Sequence, residues 1–343
     1  MKILVDGATL SKGGGVAVYL ENILKNFTER NIIILLVREE KDGLKFKDKK
    51  NVECRRMPFY NLLTRLFYEH LLIPLYAFVR GADAIFLPKQ YAPLLRTVKI
   101  ITTIHDFIPD KKESGENLIT RIYWSLQYNL ISLKSDAIIF PARTVIDEYR
   151  NRFKNLNSKK HVFIPDGFDN YEKRAEQKKM YILIPSTIKK RKNIEISLKL
   201  ANRIKEDYSD KEIVITGRVD SMDIMEKLKK ECVKCTLLGY VSKEKMEELF
   251  NDAFVILYLS EQEGYGLPIA EAISLGKYVV AAETALNKSI YGDLPIYYNL
   301  SESLDKNYEK IMKKLKEGIK YEEKTRTWKE AGRETEIFIE SLI

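Results

Sequence analysis

The feature that most constrains the fold is an alternation of short apolar segments and amphipathic segments that runs along the whole chain. Segments such as Ile32–Val37 and Ala137–Phe140 are apolar throughout, as expected for strands of a parallel sheet that is covered on both faces. Residues 16–27, between the short apolar strand Lys2–Val5 and Ile32–Val37, have the spacing of an amphipathic helix. This alternation predicts α/β architecture with parallel sheets.

The alternation is interrupted once and then begins again. A turn at residues 165–169 is followed by a charged stretch at residues 171–179, a composition typical of a linker. We therefore predict two Rossmann-like, doubly wound domains, at residues 1–168 and 169–325, with a C-terminal helix at about 326–343 that packs back onto the first domain. Because doubly wound sheets bind ligands beyond the carboxyl ends of their strands, we expect the two domains to face a cleft.

Composition limits the class of protein. With 45% hydrophobic and 31% charged residues among 343, the chain is expected to be globular. No apolar run approaches the ~18 residues that span a bilayer, and the N-terminus is predicted to be a strand, not a signal peptide. Three cysteines cannot form a disulfide framework, and the single C-x-x-C at Cys232 and Cys235 lacks the second pair of a zinc site. These features favour a cytoplasmic location.

Positive charge is concentrated in the first half. Lys and Arg outnumber Asp and Glu by 27 to 19 over residues 1–170, which accounts for eight of the nine excess positive charges. Two interpretations remain open, a solvated lysine-rich surface and a surface for an anionic partner such as a membrane. No nucleic-acid-binding motif is present, so no nucleic-acid partner is expected. We expect the apolar and basic segment 65–76 to pack in the core, the alternative being a surface that meets a membrane.

The strongest signal for chemistry lies at residues 260–272, after an apolar strand and at the start of a helix. Gly264 and Gly266 permit a tight turn, and Pro268 suits the first turn of a helix. The free N–H groups of such a helix start form an anion site. Glu263 lies in the turn, and Glu271 lies one turn into the helix. The two carboxylates are therefore placed to accept hydrogen bonds from two sets of hydroxyls.

This segment resembles the E-x7-E motif of family 4 glycosyltransferases, which have the GT-B fold. Five further segments resemble family motifs in the same order: residues 105–109 (HDFIP), 164–169 (IPDGFD), 189–193 (KKRKN), 238–242 (LGYVS) and 328–331 (WKEA). The resemblance covers essentially the whole chain. It implies that residues 1–168 form the acceptor side, which segment 65–76 would line if it does not pack in the core, and that residues 169–325 bind the nucleotide sugar. It implies a GT-B fold and a retaining, metal-independent transfer of a sugar from a nucleotide-sugar donor, with no cofactor and no metal site.

The resemblance also implies roles for individual residues. His105, Lys192 and Glu263 are expected to be catalytic. The donor is expected to contact Gly14, Gly15, Arg191, Lys192, Arg218, Val241, Glu263, Gly264, Tyr265, Gly266, Leu267 and Glu271.

Physical reasoning supports several of these roles. Lys192, predicted to begin the helix after the second domain's first strand, is expected to neutralise the leaving diphosphate. Many relatives place an arginine slightly upstream, where this chain has Ser186 and Thr187, so Arg191 or Arg218 is expected to supply the second cation. His105 follows a strand and is expected to meet a sugar hydroxyl, with Asp106 orienting it or capping the loop.

The glycine loop at residues 13–15 does not match G-x-G-x-x-G, and no acidic residue follows at the required distance, which disfavours a nicotinamide site. We expect GDP-mannose as donor, with UDP-linked hexoses next. The expected acceptor is a glycan or lipid-linked glycan on the inner face of the plasma membrane, where the chain would bind peripherally. Two alternatives remain: a non-catalytic partner subunit that binds nucleotide sugar, and a GT-B sugar-nucleotide epimerase.

Overall fold

A computed structural model describes residues 1–57, 61–154, 159–167, 180–219, 221–231, 235–318 and 326–343. The chain forms two compact units. Unit 1 comprises Met1–Gly167 with Arg326–Ile343, and unit 2 comprises Phe168–Thr325. The charged stretch predicted as a linker, residues 171–179, lies outside the described residues.

Unit 1 contains a parallel sheet in the order β3-β2-β1-β4-β5-β6-β7. Its described strands are β1 (Lys2–Asp6), β2 (Ile32–Val37), β3 (Val52–Arg56), β4 (Ala84–Leu87), β5 (Lys99–Thr103), β6 (Ala137–Phe140) and β7 (Lys160–Phe163). Its described α-helices are α1 (Gly15–Lys25), α2 (Glu40–Leu44), α3 (Leu62–Phe67), α4 (Ile73–Val79), α5 (Leu118–Lys134) and α6 (Arg143–Arg152). A π-helical turn, Tyr68–Leu72, joins α3 to α4.

Unit 2 repeats the arrangement with six strands in the order β10-β9-β8-β11-β12-β13. They are β8 (Tyr181–Pro185), β9 (Glu212–Thr216), β10 (Cys235–Gly239), β11 (Ala253–Tyr258), β12 (Tyr278–Ala282) and β13 (Ile296–Tyr298). The described α-helices are α7 (Ile194–Asp207), α8 (Met222–Glu231), α9 (Lys243–Asn251), α10 (Leu267–Ser274), α11 (Ala285–Tyr291) and α12 (Leu304–Glu317). Both sheets confirm the predicted doubly wound α/β class.

Helices cover both faces of the second sheet. Successive strand residues point to opposite faces, and β8 follows this rule. Ile182 and Ile184 pack in a core cluster with residues of α7 and α12, whereas Leu183 packs in a second cluster with residues of α9 and α10. This double burial explains why the strand is apolar at every position.

The chain returns to unit 1 in its last helix, α13 (Trp328–Glu340). Buried Glu336 fixes this helix, since one carboxylate oxygen accepts the Thr28 N–H at 2.8 Å and the other accepts the Asn31 amide at 2.8 Å. Within the described part of the chain, no helix is long and apolar enough to cross a membrane.

Candidate donor site in unit 2

The order of the second sheet reverses between β8 and β11, which are hydrogen-bonded neighbours although about seventy residues separate them. The loops that follow these two strands therefore meet at the carboxyl edge of the sheet. A crevice at such a reversal is the usual ligand site of a doubly wound sheet. The predicted residues Lys192 and Glu263 lie in these two loops.

The loop after β8 ends in a 3-10 turn, Lys190–Lys192, and α7 begins only at Ile194. The prediction that Lys192 begins the helix was therefore wrong. Asn193 interrupts the backbone with a left-handed conformation (φ 50°), and its side-chain amide donates to the Leu259 carbonyl at 3.0 Å. This bond joins the two loops and fixes Lys192 beside the second one.

Lys192 and Glu263 form a buried ion pair. The Lys192 ammonium donates to Glu263 Oε1 and, at 2.9 Å, to the Tyr258 hydroxyl. The Tyr258 hydroxyl donates in turn to Glu263 Oε1 at 2.7 Å. Only 8% of the Lys192 side chain and 12% of the Glu263 side chain are exposed, so water screens this pair weakly.

The electrostatics keep this carboxylate ionised. Burial alone would raise the pKa of Glu263, but the Lys192 ammonium and the Arg191 guanidinium more than offset it and hold the pKa below its usual value. Burial lowers the pKa of Lys192, and Glu263 opposes that change. Burial beside Glu263 raises the pKa of Tyr258 well above its usual value, which keeps the phenol protonated as a donor.

Arg191 supplies the second positive charge. Its guanidinium donates to the Gln262 carbonyl and lies 3.8 Å from Glu263 Oε1. The Glu261 N–H donates back to the Arg191 carbonyl at 3.1 Å. Arg218, the other predicted candidate, is exposed in the loop after β9, where its carbonyl accepts the Ile188 N–H at 2.8 Å. The structure therefore brings Arg191 to the ion pair.

The glycine-rich turn leads directly into α10. Gly266 has a φ of 82°, a left-handed conformation that favours glycine, and precedes Leu267 at the helix start. The Tyr291 hydroxyl lies 2.9 Å and 3.0 Å from the carbonyl oxygens of Tyr265 and Gly266, which fixes the turn from α11. Glu271 is half-buried in the second turn of α10. The first N–H groups of α10 thus begin beside the buried ion pair.

Two further predicted residues lie near the carboxyl edge of this sheet. Gly264 is half-buried in the turn between Glu263 and α10, and Val241 is half-buried in the loop between β10 and α9. Tyr258 belongs to the ion-pair cluster but was missed by the sequence analysis. Its signal was available, because it ends an otherwise apolar strand with a hydroxyl at the carboxyl edge.

The predicted residues of unit 1 lie at the carboxyl edge of the first sheet. Gly14 has a φ of 87° and Gly15 begins α1. His105 is buried after β5, its Nε2 donates to the Pro88 carbonyl at 2.8 Å, and burial lowers its pKa to about 4. The ring is therefore neutral, and Nδ1 is its only acceptor. Asp106 caps the following turn, accepting the Ile108 N–H at 2.9 Å.

Among the described residues, no group of three or more His, Cys, Asp and Glu side chains could hold a metal ion. Cys232 of the C-x-x-C segment lies outside those residues.

Solved structures share this architecture over nearly the whole chain. Anabaena HepE, solved in complex with UDP-glucose, superposes with a TM-score of 0.69 at 16% identity, covering 100% of this chain and 99% of HepE. WaaG, described as a glycosyltransferase involved in lipopolysaccharide biosynthesis, superposes with a TM-score of 0.69 at 12% identity, covering 98% and 95% of the two chains. The fold is therefore that of the GT-B glycosyltransferases.

Sequence comparison assigns the family. The model described as "Glycosyltransferase Family 4" matches residues 13–170, and the model described as "Glycosyl transferases group 1" matches residues 168–335. The chain belongs to the family 4 glycosyltransferases. It is also 22% identical over 229 residues to the O-antigen chain mannosyltransferase RfbU of Salmonella typhimurium, a match that covers 66% of this chain and 62% of RfbU.

Proposed function

We propose that the chain is a retaining glycosyltransferase that moves a hexose from a nucleotide-sugar donor to a glycan or lipid-linked glycan. The observation that carries this proposal is the pair of cations, Lys192 and Arg191, held beside Glu263 where the second sheet reverses its order. Two cations and a helix N-terminus at one edge suit a diphosphate. The acceptor class is supported by similarity to a protein named an O-antigen chain mannosyltransferase and to one described as involved in lipopolysaccharide biosynthesis.

In this proposal the leaving group dominates the chemistry. Departure of the nucleotide diphosphate develops positive charge at the sugar carbon and negative charge on the phosphate oxygens. Lys192, Arg191 and the first amides of α10 stabilise the phosphate charge, which needs no metal ion or other cofactor. Glu263 accepts hydrogen bonds from hydroxyls of the transferred sugar, and Glu271 accepts them from the ribose.

GDP-mannose is the first donor to test, and a UDP-linked hexose the second. The similarity to a mannosyltransferase supports the first, and the fold shared with HepE, which was solved with UDP-glucose, supports the second. A thermal-shift screen of nucleotide sugars tests both, because a ligand stabilises the folded chain by RT ln(1 + [L]/Kd). If no nucleotide sugar stabilises the protein, the donor site is wrong.

Product analysis separates the alternatives. A transferase forms a glycoside with retained anomeric configuration only when acceptor is present. An epimerase converts the donor without acceptor, and a non-catalytic partner subunit binds the donor but neither transfers nor hydrolyses it. Either of the last two results would replace the proposal.

We also propose that unit 1 binds a membrane through an exposed apolar surface. In unit 1 the segment from α3 to α4 buries Tyr68, Ile73 and Ala77 on one side, so the core packing expected there holds for one face only. Its other side exposes large apolar side chains at a spacing close to four residues: Leu63, Phe67, Leu71, Leu75, Phe78 and Val79. We name these six residues the apolar stripe. Together with the basic excess of residues 1–170, it suits an anionic lipid surface.

A further inference from the structure

Unit 1 contains a buried polar cluster that is separate from the proposed donor site. It lies at the carboxyl ends of β1 and β4, the two strands between which the first sheet reverses its order. The π-helical turn contributes Glu69 and His70, and single-turn π-helices are found frequently at functional sites. The other members come from the ends of β1 and β4 and from α5: Asp6, Lys89, Gln90, Tyr91, Tyr123 and Gln127.

Glu69 is the centre of this cluster, with only 1% of its side chain exposed. Its Oε1 accepts Arg65 Nε at 2.8 Å and Lys89 Nζ at 3.1 Å. Lys89 follows Pro88, whose carbonyl accepts from His105. The cluster is therefore continuous with His105 in unit 1, and Arg65 is not a free surface cation.

Three polar atoms of this cluster are buried without a hydrogen-bond partner: His70 Nδ1, Gln90 Oε1 and Gln127 Oε1. The Tyr123 hydroxyl faces the Glu69 carboxylate. An unpaired buried polar group costs about 1–3 kcal/mol. Three in one cluster are unusual, because most buried polar side chains are paired. We therefore expect a bound ligand to supply the missing hydrogen bonds.

The chemistry of these atoms defines the ligand. The two amide oxygens accept only. Burial lowers the pKa of His70, and its Nε2 faces the Gln127 amide nitrogen at 3.3 Å, so Nδ1 carries the proton as a single donor. A carboxylate or phosphate would place further acceptors against these two acceptors. A neutral ring with several hydroxyls supplies the missing donors and accepts from Nδ1.

The rim provides a surface for such a ring. Lys89 Nζ lies 5.8 Å from the centre of the half-buried Trp124 ring. Tyr123 is half-buried next to Trp124 on α5. Polar groups converging beside partly open aromatic rings are typical of small-molecule sites.

We propose that the cluster formed by Glu69, His70, Gln90, Tyr123 and Gln127 binds one neutral sugar ring through its hydroxyl groups. That this ring belongs to the acceptor rests on the proposed function above. The assignment makes the acceptor's recognised residue a neutral hexose and not a uronic acid or a phosphorylated sugar.

Saturation-transfer NMR with the full chain and no nucleotide tests the proposal, using methyl α-mannoside, methyl α-glucoside and methyl α-glucuronide as probes. Tyr123→Phe removes only the hydroxyl that faces Glu69. Gln127→Leu removes the amide, with its contact to His70 Nε2, at little change of volume. Each variant should weaken binding of a neutral glycoside by about 3- to 10-fold, the value of one hydrogen bond. Asn129→Ala, on the exposed side of the same helix, should not change it.

Three results would overturn the proposal: no glycoside binding to the wild-type chain, equal binding to the wild type and both cluster variants, or tighter binding of the glucuronide. The first two would mean that ordered water alone fills the cluster. GDP and UDP calorimetry on the same proteins is a separate measurement. If the wild type binds glycosides as proposed but neither nucleotide, the proposed function fails while the sugar site stands.

Discussion

Removing the charge of Lys192 should destabilise unit 2, because Glu263 would then remain buried with weaker compensation. Breaking a buried ion pair from one side usually costs about 3–5 kcal/mol. Lys192→Met should fall near the lower limit, about 3 kcal/mol, because Arg191 at 3.8 Å and the Tyr258 hydroxyl at 2.7 Å still face the carboxylate. The double variant Lys192→Met/Glu263→Gln removes both charges. Its loss of stability should be about 2 kcal/mol smaller than the sum of the losses of the two single variants, and this difference is the coupling energy.

A matched surface pair provides the control for this cycle. Lys245 and Glu248 are 2.8 Å apart, but their side chains are 45% and 38% exposed. Their coupling energy should be below about 0.5 kcal/mol. Native-state hydrogen exchange of the β8 and β11 amides is the suitable assay because it reports on unit 2 alone, whereas both tryptophans, Trp124 and Trp328, lie in unit 1. A Lys192–Glu263 coupling no larger than that of the control would refute the reasoning.

The coupling should also depend on pH. Because the folded pKa of Glu263 lies below its usual 4.5, the unfolded chain takes up the proton first as the pH falls. The stabilisation is complete above about pH 4.5 and is lost as the pH falls through the lower folded pKa. The cycle should therefore give its full value at pH 7 and a reduced value near pH 3.

Four further predictions address function. Glu271→Ala should weaken GDP or UDP binding roughly 10- to 100-fold in calorimetry, through loss of a charged hydrogen bond. The control Glu261→Ala should leave the affinity unchanged, and a Glu271→Ala affinity equal to that of the wild type would remove Glu271 from the site. Lys192→Ala should lower kcat more than it raises KM, because its charge acts as the diphosphate leaves; a changed KM alone would contradict this role. Transfer should continue in EDTA, and activity that returns only with manganese would contradict metal independence. Anionic vesicles should sediment the chain at low salt but not near 0.5 M, and Phe67→Ser/Phe78→Ser should weaken this binding; equal binding to neutral vesicles would refute an anionic partner.

The fold could be predicted from the sequence because the central strands are apolar at every position. Two strands at the edges of the sheets have weaker patterns and are not predicted from the sequence. β3 (Val52–Arg56), at one edge of the first sheet, includes Glu53, Arg55 and Arg56, and β13, at one edge of the second sheet, has only three residues. Sequence patterns are strongest where both faces of a strand are buried, so edges of sheets are the elements most easily overlooked.

The two buried clusters differ in how far the sequence indicated them. Glu263 and Glu271 lie in one short segment, so their spacing was visible directly. The contact of Lys192 with Glu263 depends on the pairing of β8 with β11, which no local pattern specifies. The unit 1 cluster was not found, because Glu69 looks like one charge in an apolar helix until β4 and α5 are placed beside it.

Each unit contains a buried carboxylate that is held by two cations. The groups around the two carboxylates differ, and this difference indicates what each is suited to bind. Glu69 is held by Arg65 and Lys89, as Glu263 is held by Lys192 and Arg191. In unit 2 the neighbouring groups are positively charged or N–H donors, which suit an anion. In unit 1 the neighbouring unpaired atoms are mainly acceptors, which suit hydroxyls.

This difference predicts how variants should divide between the substrates. Changes to Tyr123 or Gln127 should alter the dependence of rate on acceptor, and changes to Lys192 or Glu271 the dependence on donor. The reverse pattern, with nucleotide affinity following Gln127 and acceptor preference following Glu271, would show that the balance of donors and acceptors around each buried carboxylate does not determine what it binds.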